Sequence, residues 1–313
     1  MAERPKPGKL INRRLMHAAA RMHYLDGLSQ IEVARRMEVS TATVSRLLAL
    51  ARNEGIVRIE VVDIEDIDDL GHRLAQALGL GSARVVENNQ AAALGAQVGF
   101  LLQDAALASG SVVAVGWGRT IQSVVSAGLQ KCPGVVVIPA MGGMSETEGH
   151  FQINEFVRRA AAQLGGEPRL LFAPAMVSPE LSAVLELDPD IAGLIGLWDR
   201  VDVAILGIGR FEPGLTAVDP EFSDSDADRV VGDVVRHYFD ASGAEVPWPK
   251  EENLLCIHRD QLRRVPLSIG IAIGREKAPA ILGAVRSGMV NALVTDVQAA
   301  VRVLELADPP PKD

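Results

Sequence analysis

An α/β domain with a doubly wound parallel sheet, preceded by a small helical domain, is the fold that this 313-residue sequence predicts. Three observations support this prediction. The first 53 residues show helical periodicity in three successive segments. From about residue 83, short apolar runs alternate with glycine-containing turns and helical segments, which is typical of α/β domains. The charge of the chain also changes sign between these two regions.

The charge of the N-terminal region differs from that of the remainder. The whole chain carries a formal net charge of −9. Residues 1–60 hold 11 Lys and Arg against 6 Asp and Glu, a net charge of +5, which leaves −14 for the remainder. A basic region on an acidic body indicates that the basic region contacts a polyanion. An acidic stretch at 63–69 marks the change, so we predict domains at 1–62 and 63–313.

Composition excludes several classes of protein. Apolar residues make up 48% of the chain, too many for global disorder. Cys132 and Cys256 lie far apart, so we expect neither a disulfide framework nor a zinc site, and no cofactor is predicted. The N-terminus has no secretory signal and the chain no long apolar run, so we expect a cytoplasmic protein without a membrane span. We expect residues 1–10 to be a mobile arm.

The N-terminal region predicts three helices. Apolar spacing predicts the first at residues 12–24, and Gly27 ends it. Ser29 and Glu32 form the pattern of a capping box and begin a short second helix, whose inner face includes Ile31. A tight break leads to the third helix at 41–53. Residues 56–62 then predict a strand, which would be the wing of a winged domain.

The third helix begins with short hydroxyl-bearing residues followed by Arg46, and this arrangement suits the major groove of DNA. Two helices joined by a tight turn, with local positive charge, indicate a helix-turn-helix that binds double-stranded DNA. The alternative is a three-helix cap with a solvated basic face. Arg58 on the following strand is expected to meet phosphate. The predicted DNA-contacting residues are Ser29, Gln30, Ser40, Thr41, Thr43, Ser45, Arg46 and Arg52.

The C-terminal region predicts a sheet buried on both faces, because its strands are nearly continuous apolar runs. Only a strand around residues 236–240 is expected within the segment 211–265. The predicted strands are 83–87, 111–115, 134–139, 169–173, 201–206, 267–273 and 291–295. The predicted helices are 70–78, 91–108, 120–129, 152–164, 276–286 and 297–306.

Glycine-rich turns after three of these strands predict an anion site. Residues 116–120 (Gly-Trp-Gly-Arg-Thr) follow an apolar strand and begin a helix, where backbone N–H groups favour an anion. Two further glycine pairs, 142–143 and 207/209, also follow strands, so all three sets should meet at one edge of the sheet. Lys277 begins another helix, where a bound anion would offset its unfavourable position. The alternatives are an ordinary tight turn at 116–120 and a solvated lysine at 277.

Several motifs, in their order along the chain, resemble the SorC family of bacterial transcriptional regulators, also called SorC/DeoR-like. The resemblance extends over residues 15–306 and no single motif is diagnostic. The motifs lie at 24–30, 33–34, 39–48, 51–57, 115–120, 202–209, 231–233, 274–277 and 293–296.

The resemblance implies that the C-terminal domain is a sugar-binding domain, related in fold to phosphosugar isomerases, that takes a phosphorylated sugar or polyol. It assigns 116–120 to the phosphate loop, Asn154 and Asp233 to hydroxyl recognition, and Lys277 to phosphate or carbonyl. Met141 stands where some family members have a lysine able to form a Schiff base, so covalent capture is not expected here. The predicted effector residues are Gly116, Gly118, Arg119, Thr120, Gly142, Gly143, Asn154, Gly207, Gly209, Asp233 and Lys277.

Two functions remain open at this point. The first is a DNA-binding regulator whose operator affinity is controlled by the effector, acting as a homo-oligomeric dimer or tetramer because one head contacts only a half-site. The second is a sugar-phosphate isomerase-like enzyme with an accessory DNA-binding head. Asp202 and Asp233 are available, but no paired-carboxylate or Ser-His-Asp pattern is visible, so we predict no catalytic or metal-binding residue and no enzymatic activity.

Overall fold

The computed structural model describes residues 7–25, 27–57, 67–87, 90–144, 152–212 and 222–307. Contacts between residues divide the chain into two compact units, Met1–Val62 and Asp63–Asp313. Within the described residues, no helix is both long enough and apolar enough to cross a membrane.

The N-terminal unit contains three α-helices around a small apolar core. They are α1 (Pro7–Ala20), α2 (Gln30–Arg36) and α3 (Thr41–Asn53), and one π-helical turn, Arg21–Leu25, extends α1. The first helix begins earlier than predicted, so the expected arm at 1–10 is helical from Pro7 onward. Proline suits the first position of a helix because the N–H it lacks would have no partner there. The core residues are Met16, Ala19, Ala20, Val33, Ala34, Val44, Leu47, Leu48 and Ala51.

Side-chain caps define both helices after the turn. The hydroxyl of Ser29 accepts from the backbone N–H of Glu32 at 3.3 Å, and the Glu32 carboxylate accepts from the N–H of Ser29 at 2.8 Å, which confirms the capping box. Ser40 caps α3 through the N–H of Thr43 at 3.1 Å. Ile31 is 63% exposed, so its placement on the inner face was wrong. The predicted wing falls mostly on 58–62, Arg58 included, outside the described residues.

The C-terminal unit confirms the predicted α/β fold with a parallel sheet. Seven parallel strands lie in the order β1-β9-β8-β5-β2-β3-β4. An antiparallel hairpin of β6 (Val230–Val234) and β7 (His237–Asp240) pairs with the last residues of β5. The parallel strands are β1 (Ser82–Val86), β2 (Val112–Val115), β3 (Val136–Pro139), β4 (Glu167–Pro168), β5 (Val201–Arg210), β8 (Leu267–Ile271) and β9 (Ala292–Asp296).

The helices of this unit pack in two layers, one of α4, α12 and α13 and the other of α5, α6 and α7. The buried faces of the strands are filled by Val, Ile, Leu and Ala side chains, as expected for a parallel sheet. The helices are α4 (Ile67–Leu78), α5 (Ala91–Asp104), α6 (Arg119–Ala127), α7 (Ile153–Leu164), α8 (Pro179–Leu185), α9 (Pro189–Leu197), α10 (Asp224–Ala227), α11 (Arg259–Arg264), α12 (Ala278–Arg286) and α13 (Val297–Ala307).

The segment between α7 and β5 differs most from the prediction. The strand expected at 169–173 is absent, and β4 is only Glu167–Pro168. Proline cannot donate to a ladder, and Pro168 and Pro174 flank the apolar run. Isolated bridges instead join Gly143 to Pro174 and Met176 to Leu254. Helices α8, α9, α10 and α11 and strand β6 were not predicted, whereas β7 lies at the strand expected around 236–240.

Replacing Ser29 by Ala should destabilise α2, because it removes one half of the capping box. We expect a loss of about 1 kcal/mol, typical of N-cap serines. Amide hydrogen exchange in α2 would measure it. Ser45→Ala, at an exposed position inside α3, is the matched control. Equal exchange rates in the two variants would contradict the role of the cap.

Candidate functional site

The carboxyl ends of three neighbouring strands form the centre of the candidate site. Strand β5 lies between β2 and β8, so their carboxyl ends meet at one edge of the sheet. Gly116 follows β2, and Gly207 and Gly209 lie in the last part of β5. Lys277 lies at the start of α12, after β8. The structure therefore brings together the predicted residues from three separate stretches of sequence.

Helix α6 begins directly after the glycine-containing turn that follows β2. Gly118 precedes the helix with φ +133°, a conformation that other residues rarely adopt, and it offers no capping side chain. Thr120 is half-buried in the first turn, and Arg119 is exposed beside it. Gly116 has a different role. Its N–H donates to the carbonyl of Ile205 at 2.9 Å, and a Cβ there would press against β5. The first glycine thus holds two strands close, and the second shapes the helix end.

Asp233 lies directly on the backbone of Gly209. The two residues are paired across β5 and β6, and a Cβ atom at 209 would overlap the Asp233 carboxylate. The other carboxylate oxygen accepts from the backbone N–H of Arg236 at 2.9 Å. Burial raises the pKa of Asp233, although the N–H and charge of Arg236 and the charge of Lys277 act against it. Gly209 is therefore required for the position of this carboxylate.

Lys277 reaches the same strand end from α12. Its Nζ donates to the carbonyl of Ile208 at 2.9 Å, one residue before Gly209. Burial lowers the pKa of Lys277, Asp233 raises it, and Arg210 and Arg119 lower it further. Lys277 is half-buried and its amine is bonded to β5, which does not fit the solvated alternative.

The charges around this strand end suit an anion that also carries hydroxyl groups. The charges of Arg210 and Arg119 lower the pKa of Lys277, whereas those of Asp233 and Glu276 raise it. Arg210 also pairs with Glu212. An ammonium and a guanidinium bind phosphate, whereas a buried carboxylate accepts hydrogen bonds from hydroxyls. The prediction did not include Arg210, although its place directly after Gly209 is the signal that would have found it.

A strained turn holds Asp233 in place. Val235 and Arg236 join β6 to β7 with φ values of 52° and 63°, and a β-branched residue there is a genuine outlier. The indole N–H of Trp248 donates to the carbonyl of Arg236 at 3.3 Å, and the Arg236 guanidinium lies 5.2 Å from the ring centre. The sequence carries no sign of this turn, since two-residue hairpin turns usually contain Gly or Asn.

The other predicted effector residues have structural contacts. Gly142 donates its N–H to Leu255, and a Cβ there would overlap the carbonyl of Pro174. Gly143 likewise donates to Ala173. The amide of Asn154 donates to the carbonyl of Leu171 at 3.0 Å and accepts from its N–H at 3.2 Å. These contacts account for Gly142, Gly143 and Asn154 without a ligand, and their contact with an effector stays a prediction.

A buried histidine lies directly after the strained turn. Nδ1 of His237 faces the Glu251 carboxylate at 3.3 Å, and Nε2 faces the carbonyl of Ile257 at 2.9 Å and Sγ of Cys256 at 3.5 Å. Burial alone would lower the pKa of His237, but Cys256, Glu251 and the Ile257 carbonyl outweigh it and raise the pKa to about 10. Both ring nitrogens meet acceptors, so the protonated ring fits this position best. His237 is a packing residue.

A cavity of about 770 Å³ opens at the opposite, amino-terminal edge of the sheet. Its polar residues already serve the fold. The Asp202 carboxylate accepts from the N–H of Val112 at 2.8 Å, and Asn291 binds the backbone of Ser268 and Val265. Ligands of open α/β sheets bind at the carboxyl edge, so this cavity is not assigned a ligand. Among the residues that the structure describes, no group of His, Cys, Asp and Glu could hold a metal ion.

The exposed face of α3 carries most of the predicted DNA-contacting residues. Thr41, Thr43, Ser45, Arg46 and Arg52 are all exposed. The hydroxyls of Ser29 and Ser40 serve as helix caps, and the Ser40 hydroxyl also contacts that of Thr43 at 2.8 Å. Gln30 is half-buried. Within the described residues, the side chains of Thr41, Ser45, Arg46 and Arg52 are exposed and take part in neither cap.

Comparisons with known proteins agree over nearly the whole chain. The family model described as a putative sugar-binding domain matches residues 62–305. The sorbitol operon regulator of Klebsiella pneumoniae is 32% identical over 93% of this chain and 98% of its own. Its full-length crystal structure has a TM-score of 0.69 to this chain with the same coverage. The deoxyribonucleoside regulator of Bacillus subtilis is 28% identical over 90% of this chain and 94% of its own.

Replacing Gly209 by Ala should destabilise the C-terminal unit, because the new methyl group overlaps the Asp233 carboxylate. We expect a loss of roughly 1–3 kcal/mol in the free energy of unfolding, typical of overpacking. Gly207→Ala is the control, since its Cβ would meet nothing closer than 3.6 Å. Urea unfolding of both variants measures the difference. Equal stability would contradict the close contact.

His237 should make the stability depend on pH. Its folded pKa of about 10 lies above the unfolded value of about 6.5. Its contribution is therefore complete below about pH 6.5 and is lost as the pH rises toward about 10. We expect the stability difference between wild type and His237→Gln to shrink from about pH 6 to about pH 9.5 in urea unfolding. A difference that stays constant, or grows, would show that the buried ring is neutral.

Proposed function

Since the chain belongs to the SorC family of transcriptional regulators and carries that family's sugar-binding domain, we propose that a phosphorylated sugar or polyol controls its affinity for operator DNA. The protein is a sugar-responsive transcriptional regulator. In this proposal residues 1–62 bind DNA, and residues 63–313 bind the effector and oligomerise.

The observation that carries the effector proposal is the pairing of unlike groups at the end of β5. The uncapped start of α6, with Gly118 and Thr120, would bind the phosphate, and Arg119 and Lys277 would add positive charge. Asp233 would accept hydrogen bonds from effector hydroxyls, because its carboxylate is fixed on Gly209. A phosphate joined to a polyhydroxylated chain satisfies both requirements.

The names of the relatives support the same chemical class. One relative is named for a sorbitol operon and another for deoxyribonucleosides, so sugars and polyols recur among the compounds that the relatives are named for. Met141 precedes the Gly142-Gly143 pair, which leaves no amine there for a Schiff base. We therefore propose reversible, non-covalent binding.

DNA binding by the N-terminal unit requires a second copy of the chain. One α3 helix contacts a single half-site, whereas an operator presents two. The C-terminal unit has apolar side chains that another copy would cover, with Phe172 73% exposed, Val184 62% and Leu187 82%. A homo-oligomer, dimer or tetramer, follows from both observations. A regulator of this kind acts on the chromosome, so we place it in the cytoplasm.

The isomerase-like alternative lacks an acid–base pair. Asp202 is held by the N–H of Val112 at the amino edge of the sheet, away from the candidate site. The side chains whose charges lower the pKa of Asp233 are Arg236, Lys277 and His237, and the nearby Glu212 and Glu276 are exposed. Such a site favours binding over proton transfer. Steady conversion of a sugar phosphate by the purified chain would overturn this part of the proposal.

Replacing Lys277 by Gln should weaken the effector response without loss of DNA binding. Gln can still donate to the Ile208 carbonyl but carries no charge, so we expect effector affinity to fall about ten- to a hundred-fold, as for a charge-assisted bond. A thermal-shift screen of sugar phosphates and polyols identifies a compound that stabilises the wild type by mass action. Fluorescence anisotropy with operator DNA then measures its effect on DNA affinity.

Lys131→Gln is the matched control, because this lysine is exposed and lies outside the site. It should respond as the wild type does. A normal response in the Lys277→Gln variant would refute the assignment of Lys277. Failure of every sugar phosphate and polyol to stabilise the wild type would refute the effector class.

A further inference from the structure

The centre of the exposed face of α3 is apolar at its first turn. Successive helical residues are about 100° apart, so the face opposite the buried residues Val44, Leu47, Leu48 and Ala51 is centred near Ala42 and Arg46. Both are exposed.

The hydroxyl groups of Ser40 and Thr43, which lie on either side of Ala42 in the sequence, are hydrogen-bonded at the start of α3. The hydroxyl of Ser40 is held by the N–H of Thr43 at 3.1 Å and by the Thr43 hydroxyl at 2.8 Å. These two hydroxyls are engaged with each other and with the start of the helix, and the Ala42 methyl group is exposed beside them. An exposed methyl at the start of a recognition helix has no polar atom with which to read a base edge.

We propose that Ala42 reads a thymine of the operator through contact between its methyl group and the thymine C5-methyl. Of the groups that base pairs present in the major groove, the C5-methyl is the apolar one, and alanine is among the side chains that contact it. The inference rests on DNA binding by the N-terminal unit. It adds a specified base to that function.

Arg46 sets the distance to the next base that is read. It lies four residues after Ala42 on the same face, a rise of about 6 Å along the helix. Adjacent bases are about 3.4 Å apart. Arg46 binds guanine through two parallel hydrogen bonds, the usual pairing for arginine in the major groove. The half-site therefore carries a thymine and a guanine one or two base pairs apart.

Deoxyuridine tests the contact, because it differs from thymidine only by the missing C5-methyl. The full-length protein first selects its preferred sites from a random DNA pool. Each thymine of the selected duplex is then replaced by deoxyuridine, and the affinity is measured by fluorescence anisotropy. We expect one thymine in each half-site at which the replacement weakens wild-type binding about fourfold, equivalent to the ~0.8 kcal/mol of one buried carbon.

The Ala42→Gly and Ala42→Ser variants should bind the thymine and deoxyuridine duplexes equally at that position. The ratio is taken within each variant, so a general loss of helix stability cancels. Salt dependence should match the wild type, because neither change alters a charge. A ratio that persists in both variants, or no sensitive thymine in the selected site, would overturn the assignment. Absence of any selected DNA would instead refute DNA binding itself.

Discussion

The contact between the Asp233 carboxylate and the backbone of Gly209 is the constraint that determines which residues the carboxyl end of β5 can carry. It requires glycine at 209, where a Cβ would overlap the Asp233 carboxylate. Glycine is also required at 232, where a Cβ would overlap the carbonyl of Gly209 and crowd Ala280. Lys277 binds the carbonyl of the preceding residue, Ile208. The carboxylate of Asp233 and the amine of Lys277 therefore contact consecutive residues of β5, and backbone groups hold both of them.

This arrangement is costly, and the surrounding structure compensates for it. Two consecutive left-handed residues, Val235 and Arg236, cost on the order of 1–3 kcal/mol each. Burial of Tyr238, Phe239 and Trp248 after the turn offsets that cost. Burial disfavours the charged forms of both side chains, so it raises the pKa of Asp233 and lowers the pKa of Lys277. An anionic ligand beside the amine would favour its charged form, so the binding energy of the site would include this electrostatic gain.

The parts of the fold with a strong local signal were predicted well. Helix α3 was placed with correct bounds, because Ser40 and Gly55 mark its ends and its apolar positions are periodic. The seven-strand pattern was recognised except at 169–173, where prolines interrupt an apolar run that is typical of a strand.

The glycines at the carboxyl edge of the sheet were predicted, but the sequence did not show what each glycine does in the structure. Gly118 shapes a helix end, Gly142 admits a neighbouring backbone, and Gly209 admits a carboxylate. These are contacts between distant segments, so no local pattern reports them. The Val235–Arg236 turn and the exposure of Ala42 depend on tertiary packing in the same way.

The net charge of −9 is an average over two surfaces with opposite requirements. A chain that binds DNA through an acidic surface would lose affinity, so the +5 of residues 1–60 has to be concentrated on the unit that contains α3. The −14 of the remainder discourages contact between the C-terminal unit and the duplex. In our proposal the same acidic unit also admits an anionic effector. It does so by placing Arg119, Arg210 and Lys277 at one strand end, where their fields add over a short distance and are screened farther away. Under that proposal, local concentration of charge, not its total, allows one acidic chain to bind two anions of very different size.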